Sequence, residues 1–156
     1  LAMVYAVCKC ANHIESFRYR FVDGKVALYN KIDTAFTYLN ENTGLFKVVN
    51  VPMLDDLKEY CELAKKTAEE QKEYFTGPLG NDVFQCSPMP WVTYTHISHT
   101  NAGKKDNATP LFDWGKYYEK DGRIMIPISV QAHHSFVDGL HIGQFVEELK
   151  RFLNEY

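Results

Sequence analysis

Hydrophobic periodicity along this chain switches between the helical and the strand spacing in a set order: helix, β-runs, helix, β-runs, terminal helix. Each one-sided helix and strand must bury its apolar stripe against another layer. The order is therefore met by an α/β two-layer sandwich, with helices packed on a mixed β-sheet, in the α/β or α+β class. Residues 1–15 have apolar side chains on nearly every side, including Leu1, Val4, Tyr5, Cys8 and Ala11, which suits a buried helix lying across a sheet. Next, residues 17–22 and 25–29 are strand-like runs joined by Asp23-Gly24, a two-residue turn whose twist fits a hairpin. Residues 36–39 and 45–51 read as further strands around the polar break at 40–44.

After Pro52 and Asp55, Leu54, Leu57, Cys61, Ala64 and Ala68 recur at helical spacing with a lysine- and glutamate-rich solvent side. Residues 83–87 and 91–98 read as strands, followed by a polar loop around 101–109. Residues 111–119 and 123–132 flank Lys120-Asp121-Gly122 as a second hairpin. Ile142, Phe145, Val146, Leu149, Phe152 and Leu153 form one stripe of the last helix.

With 46% hydrophobic and 14% aromatic residues, a chain of 156 can bury one substantial core, so residues 1–156 are expected to be a single domain. A net charge of -3 supplies no general attraction to nucleic acid. No apolar run approaches the ~20 residues of a membrane span and no signal peptide opens the chain, so a soluble, cytoplasmic protein is expected. Cys8, Cys10, Cys61 and Cys86 lack zinc or redox spacing and are expected to be reduced, partly buried thiols.

The chemistry concentrates in Gln131-Ala132-His133-His134-Ser135-Phe136-Val137-Asp138-Gly139-Leu140-His141, at the seam between a strand and a helix. Histidine suits proton abstraction from a hydroxyl near neutral pH, which makes His134 and His133 candidate bases. A serine hydroxyl can donate to the oxyanion of an acyl-transfer intermediate. Ser87, in Cys86-Ser87-Pro88-Met89-Pro90-Trp91, lies where two prolines are expected to break a β-run and expose it. A zinc set from His134, Asp138 and His141 is disfavoured because Gly139 interrupts helical spacing, and no metal is expected.

His133-His134-Ser-Phe-Val-Asp138-Gly139 resembles the His-His-x-x-x-Asp-Gly signature of the coenzyme A-dependent acyltransferases, particularly the chloramphenicol acetyltransferase family. Ser87-Pro-Met-Pro90-Trp91 is similar to that family's Ser-x-x-Pro-Trp, Gly115-Lys116-Tyr117 to its Gly-Lys-Tyr, and Pro127-Ile-Ser-Val-Gln131 to the run before its histidines. Phe17-Arg18 after a buried helix also fits, and the similarity runs in the same order through essentially the whole chain.

The resemblance implies an O-acetyltransferase that uses acetyl-CoA and chloramphenicol. His134 would be the general base, Ser87 the oxyanion donor and Asp138 a structural carboxylate. Trp91, Lys116 and Tyr117 would lie near the coenzyme tunnel. It also implies a homotrimer with active sites between subunits, a small-molecule hydroxyl acceptor, and neither nucleic acid nor membrane as partner. Relative to the family the chain is expected to lack an amino-terminal section, including an arginine partner for Asp138. Asp138 would then be a buried carboxylate left unpaired, or the cap of the last helix.

On the strand expected after Trp91, the alternate positions Ile97, His99 and Asn101 would face the acceptor where the family has bulky apolar residues, and Asp113 stands where it has threonine. Two alternatives follow. One is an acyltransferase acting on a different alcohol. The other is a catalytically silent binding or assembly module.

Overall fold

The computed structural model of the chain describes residues 1–77, 79–99 and 106–155. Its centre is a five-stranded mixed sheet in the order β4-β3-β5-β6-β9, built from β3 (Asp33–Asn40), β4 (Leu45–Val51), β5 (Val83–Met89), β6 (Leu111–Gly115) and β9 (Ile128–Gln131). The β3/β5 and β5/β6 pairs are parallel, while β3/β4 and β6/β9 are antiparallel. Two short hairpins stand apart: β1 (Tyr19–Val22) with β2 (Lys25–Leu28), and β7 (Tyr118–Lys120) with β8 (Arg123–Met125). Both turn on Asp-Gly pairs with positive φ, 50° and 74° at Asp23-Gly24 and 52° and 73° at Asp121-Gly122. That is the backbone a two-residue hairpin of the favoured twist requires.

Three helices, α1 (Ala2–His13), α2 (Leu57–Glu70) and α3 (Gly139–Glu155), cover one face of the sheet. The all-round apolar character of α1 follows from its place among the other elements. Tyr5 meets Tyr60 of α2 and Phe152 of α3 at ring-centroid distances of 5.4 and 6.0 Å, and Cys8 Sγ lies 3.6 Å from Cys86 Sγ on β5. Asn12 clamps the end of α1 to the entry of β3, donating to the Ile32 carbonyl (2.9 Å) and accepting from the Ile32 N–H (2.8 Å). The clamp satisfies both backbone polar groups of Ile32, which is buried just before β3 begins.

The first turn of α2 is capped by Asp56, whose carboxylate accepts from the Glu59 N–H at 2.9 Å. Its apolar side buries Tyr60, Ala64 and Ala68. The Tyr60 hydroxyl meets Thr34 Oγ1 of β3 at 2.7 Å. In α3, Phe145 and Leu149 are buried and Leu153 is exposed, so the terminal stripe dives into the core only at its middle. Phe145 closes an aromatic cluster with Phe17 (5.7 Å) and Phe112 (5.2 Å), and Phe84 stands edge-on to Phe112. Arg20 of β1 is buried with each guanidinium nitrogen engaged, donating to the carbonyls of Asn81, Phe17, Tyr19 and Val83. Burial pulls its guanidinium down to about 10.

Several expected elements come out differently: the runs 111–119 and 123–132 each divide, into β6 and β7 and into β8 and β9, so that only their inner ends form the hairpin. The strand expected over 91–98 is absent: residues 90–99 run as irregular chain. Pro90 lacks the N–H a ladder needs, and β6 is already paired on both edges, to β5 and β9. The expected break at both prolines is also corrected, because β5 continues through Pro88 to Met89. Beyond Cys86 this strand pairs only with β6, with Pro88 opposite Trp114. Part of the polar loop expected around 101–109 lies outside the described residues. No helix among the described residues is long and apolar enough to cross a membrane.

Candidate active site

Alternation along β5 and β6 decides which side chains reach the face without helices. Phe84, Cys86 and Phe112 point into the core beneath α1 and α3, which places Gln85, Ser87 and Asp113 on the opposite face. Ser87 is the register partner of Asp113, and Asp113 of Ser129, so the three lie in one row across the sheet. Half-buried Ser87 opens onto a cavity of about 240 Å³ whose walls include Thr37, Leu79, Gln85, His99 and Leu111.

His99 reaches the same cavity from the irregular segment, its Nε2 lying 3.0 Å from both oxygens of the Asp113 carboxylate. Burial raises the Asp113 carboxyl above its usual range, although the His99 contact pulls the other way. Tyr94 fastens the segment by donating its hydroxyl to the Asp113 carbonyl (3.0 Å), and the Lys116 N–H donates to the Val92 carbonyl (2.7 Å). Gly115 is what lets the segment approach. A Cβ there would stand 2.6 Å from the Val92 carbonyl oxygen and 3.1 Å from the Tyr94 ring. Gly115→Ala is expected to cost about 1–3 kcal/mol through overpacking, read as a lowered thermal denaturation midpoint.

The two adjacent histidines have different surroundings. The His133 ring packs edge-on to Phe21 at 5.3 Å and beside Phe136 at 6.0 Å, and its Nδ1 accepts from the Ser135 N–H at 3.2 Å. His134 is exposed, with Nδ1 3.3 Å from the Val137 carbonyl. A carbonyl only accepts, so in the neutral ring the proton lies on Nδ1 and Nε2 keeps the lone pair.

Asp138 is not the buried, unpaired carboxylate that was one expectation. Its side chain is 52% exposed, and it caps α3 by accepting from the N–H groups of Leu140 (2.9 Å) and His141 (3.3 Å). These backbone donors, that of His141 first, hold its carboxyl below the ordinary value.

The other expected site residues scatter. Ile97 is half-buried, and with no strand at 91–98 the alternation that grouped it with His99 and Asn101 does not apply. Asn101 lies outside the described residues. Trp91 is 58% exposed, edge-on to Phe46, and lines a second cavity of about 680 Å³ with Tyr38, Pro90 and Trp114. Lys116 and Tyr117 are exposed and line neither cavity.

His134 does not line the Ser87 cavity, and no hydrogen bond joins the two residues within one chain. Sequence reasoning missed the direct His99–Asp113 contact and the Thr37 and Gln85 walls. Gln85 was within reach of it, since it lies two residues before Ser87 on the same strand face.

Comparison with known proteins bears on the whole of this arrangement. The family model for chloramphenicol acetyltransferase matches residues 1–150. A chloramphenicol acetyltransferase of Klebsiella sp is 25% identical over 158 aligned residues, covering 99% of this chain and 72% of the relative. One from Vibrio anguillarum is 29% identical, covering 96% of this chain and 71% of its own length. A solved structure of a chloramphenicol acetyltransferase superposes with a TM-score of 0.87 at 28% identity, covering 97% of this chain and 76% of that one. A family match over nearly the full chain, carried by the same three-helix, mixed-sheet fold, means that this protein belongs to the chloramphenicol acetyltransferase family of acyltransferase enzymes.

Proposed function

We propose that residues 1–156 form one acyltransferase domain that moves the acetyl group of acetyl-coenzyme A to a hydroxyl of chloramphenicol or a related alcohol. The observation that carries this reading is the state of His134. Its Nδ1 is turned to the Val137 carbonyl, and among the described residues no hydrogen bond occupies its other nitrogen. Nε2 takes the proton of the acceptor hydroxyl as that oxygen bonds to the thioester carbonyl carbon. The carbonyl electron pair moves onto oxygen, where the Ser87 hydroxyl donates to it. Collapse breaks the carbon–sulfur bond, and the departing thiolate takes the proton back from the imidazolium, giving an ester and free coenzyme A.

Because His134 and the Ser87 cavity do not meet in one chain, the base of one copy serves the Ser87 of a neighbour, as in a homotrimer. The exposed Trp91, Val92, Tyr117 and Leu140 supply apolar surface for such contacts. Trp91, Lys116 and Tyr117 would flank the coenzyme. Asp138 acts at one remove, as a positioning residue that starts α3 directly after the catalytic loop. Four free cysteines fit a reducing cytoplasm.

Release of free thiol from acetyl-coenzyme A in the presence of chloramphenicol tests the reading, and no turnover with any hydroxyl acceptor would end it. Ser87→Ala is expected to slow thiol release by about 10²–10³-fold with little change in oligomer size. The paired His99 and Asp113 favour a second reading of the substrate, an alcohol more polar than chloramphenicol. A screen of acceptor alcohols separates the two.

A further inference from the structure

We propose that His99, held by the buried Asp113, determines acceptor specificity by selecting alcohols that carry a second hydrogen-bond donor, hydroxyl or amine, beside the hydroxyl that is acetylated. The proposal rests on the reading that the Ser87 cavity receives the acceptor. The Asp113 side chain is 1% exposed and that of His99 36%. Among the described residues no lysine or arginine pairs with this carboxylate; its side-chain partner is the His99 ring. An ionised carboxylate can only accept, so the imidazole turns an Nε2–H toward it. In the neutral ring Nδ1 then keeps a lone pair, and among the described residues no hydrogen bond occupies it.

The imidazole and Ser87 share the walls of one cavity, and Asp113, which orients the ring, is the register neighbour of Ser87. Neighbouring strands lie about 5 Å apart, so an acceptor whose reacting hydroxyl is beside Ser87 brings its next substituent within reach of Nδ1. A donor there completes the chain from substrate to imidazole to carboxylate. An apolar substituent leaves the nitrogen desolvated and unpaired, the situation in which a site discriminates most strongly.

The test is calorimetric binding of a matched set to the full chain without acetyl-coenzyme A. The probes are chloramphenicol, its analogue lacking the secondary hydroxyl, and its analogue with an amine in that place. The native chain is expected to bind the hydroxyl and amine forms about tenfold or more tighter than the form lacking the donor. In His99→Leu the three are expected to bind within about twofold of each other. His99→Gln keeps an N–H for Asp113 and, in its amide oxygen, an acceptor for the substrate donor, and is expected to retain part of the preference, with circular dichroism confirming the fold of both variants.

Equal binding of the three by the native chain, a preference that survives in His99→Leu, or no binding of any probe would overturn the proposal. Thiol release, measured separately, tests the transfer reading. Donor-selective binding without turnover would leave this inference standing and remove the other.

Discussion

Alanine in place of His134 is expected to lower acetyl transfer by about 10²–10⁴-fold, the usual contribution of a positioned general base, while leaving the fold intact. The expectation of an intact fold follows from the surroundings of the ring. It is exposed, and its hydrogen bond is to the Val137 carbonyl, within the same turn. The turn itself is held by backbone bonds, from the N–H groups of Phe136 (3.0 Å) and Val137 (3.1 Å) to the His133 carbonyl. Truncation therefore removes a lone pair and little packing. Thiol release and the thermal midpoint should be measured on the same preparation. A midpoint that falls along with the activity would mean that the imidazole is structural.

Phe145→Ala is expected to destabilise the protein by about 3–5 kcal/mol, as for a large aromatic removed from a closed core. Phe145 is 0% exposed and packs against Phe17 and Phe112, the latter on the strand that also carries Asp113. The resulting cavity would lie between α3 and β6, directly behind the sheet face that carries Ser87 and Asp113. Chemical denaturation gives the stability loss. A shift below about 1 kcal/mol would show that the aromatic cluster collapses around the gap and that α3 is held elsewhere.

Most of the framework was legible because local rules wrote it. Asp-Gly pairs specify tight hairpins whatever surrounds them, and both were readable. The helical stripe of α2 and the all-apolar α1 likewise follow from spacing alone. The 91–98 segment misled because it has strand composition. A strand is a pairing, not a composition, and no free edge of the sheet receives it. The same error grouped Ile97 and His99 by an alternation that the irregular backbone does not have.

For the candidate site, the His-His-x-x-x-Asp-Gly spacing pointed to the loop, yet nothing in it separates the two histidines. That distinction rests on Phe21, more than a hundred residues away in sequence, which packs on His133 and leaves His134 open. The role of Asp138 was legible only as a choice between pairing and capping, and the geometry of α3 places it as the cap. The sequence by itself determined the three helices, the two Asp-Gly hairpins and the residue types proposed for acyl transfer, because these depend on neighbours a few positions apart. Tertiary structure alone decided that His99 meets Asp113, that Ser87 shares their cavity and that His134 stands away from it. Those relations are set by strand register and by which side of the sheet the helices cover, and both are properties of long-range packing.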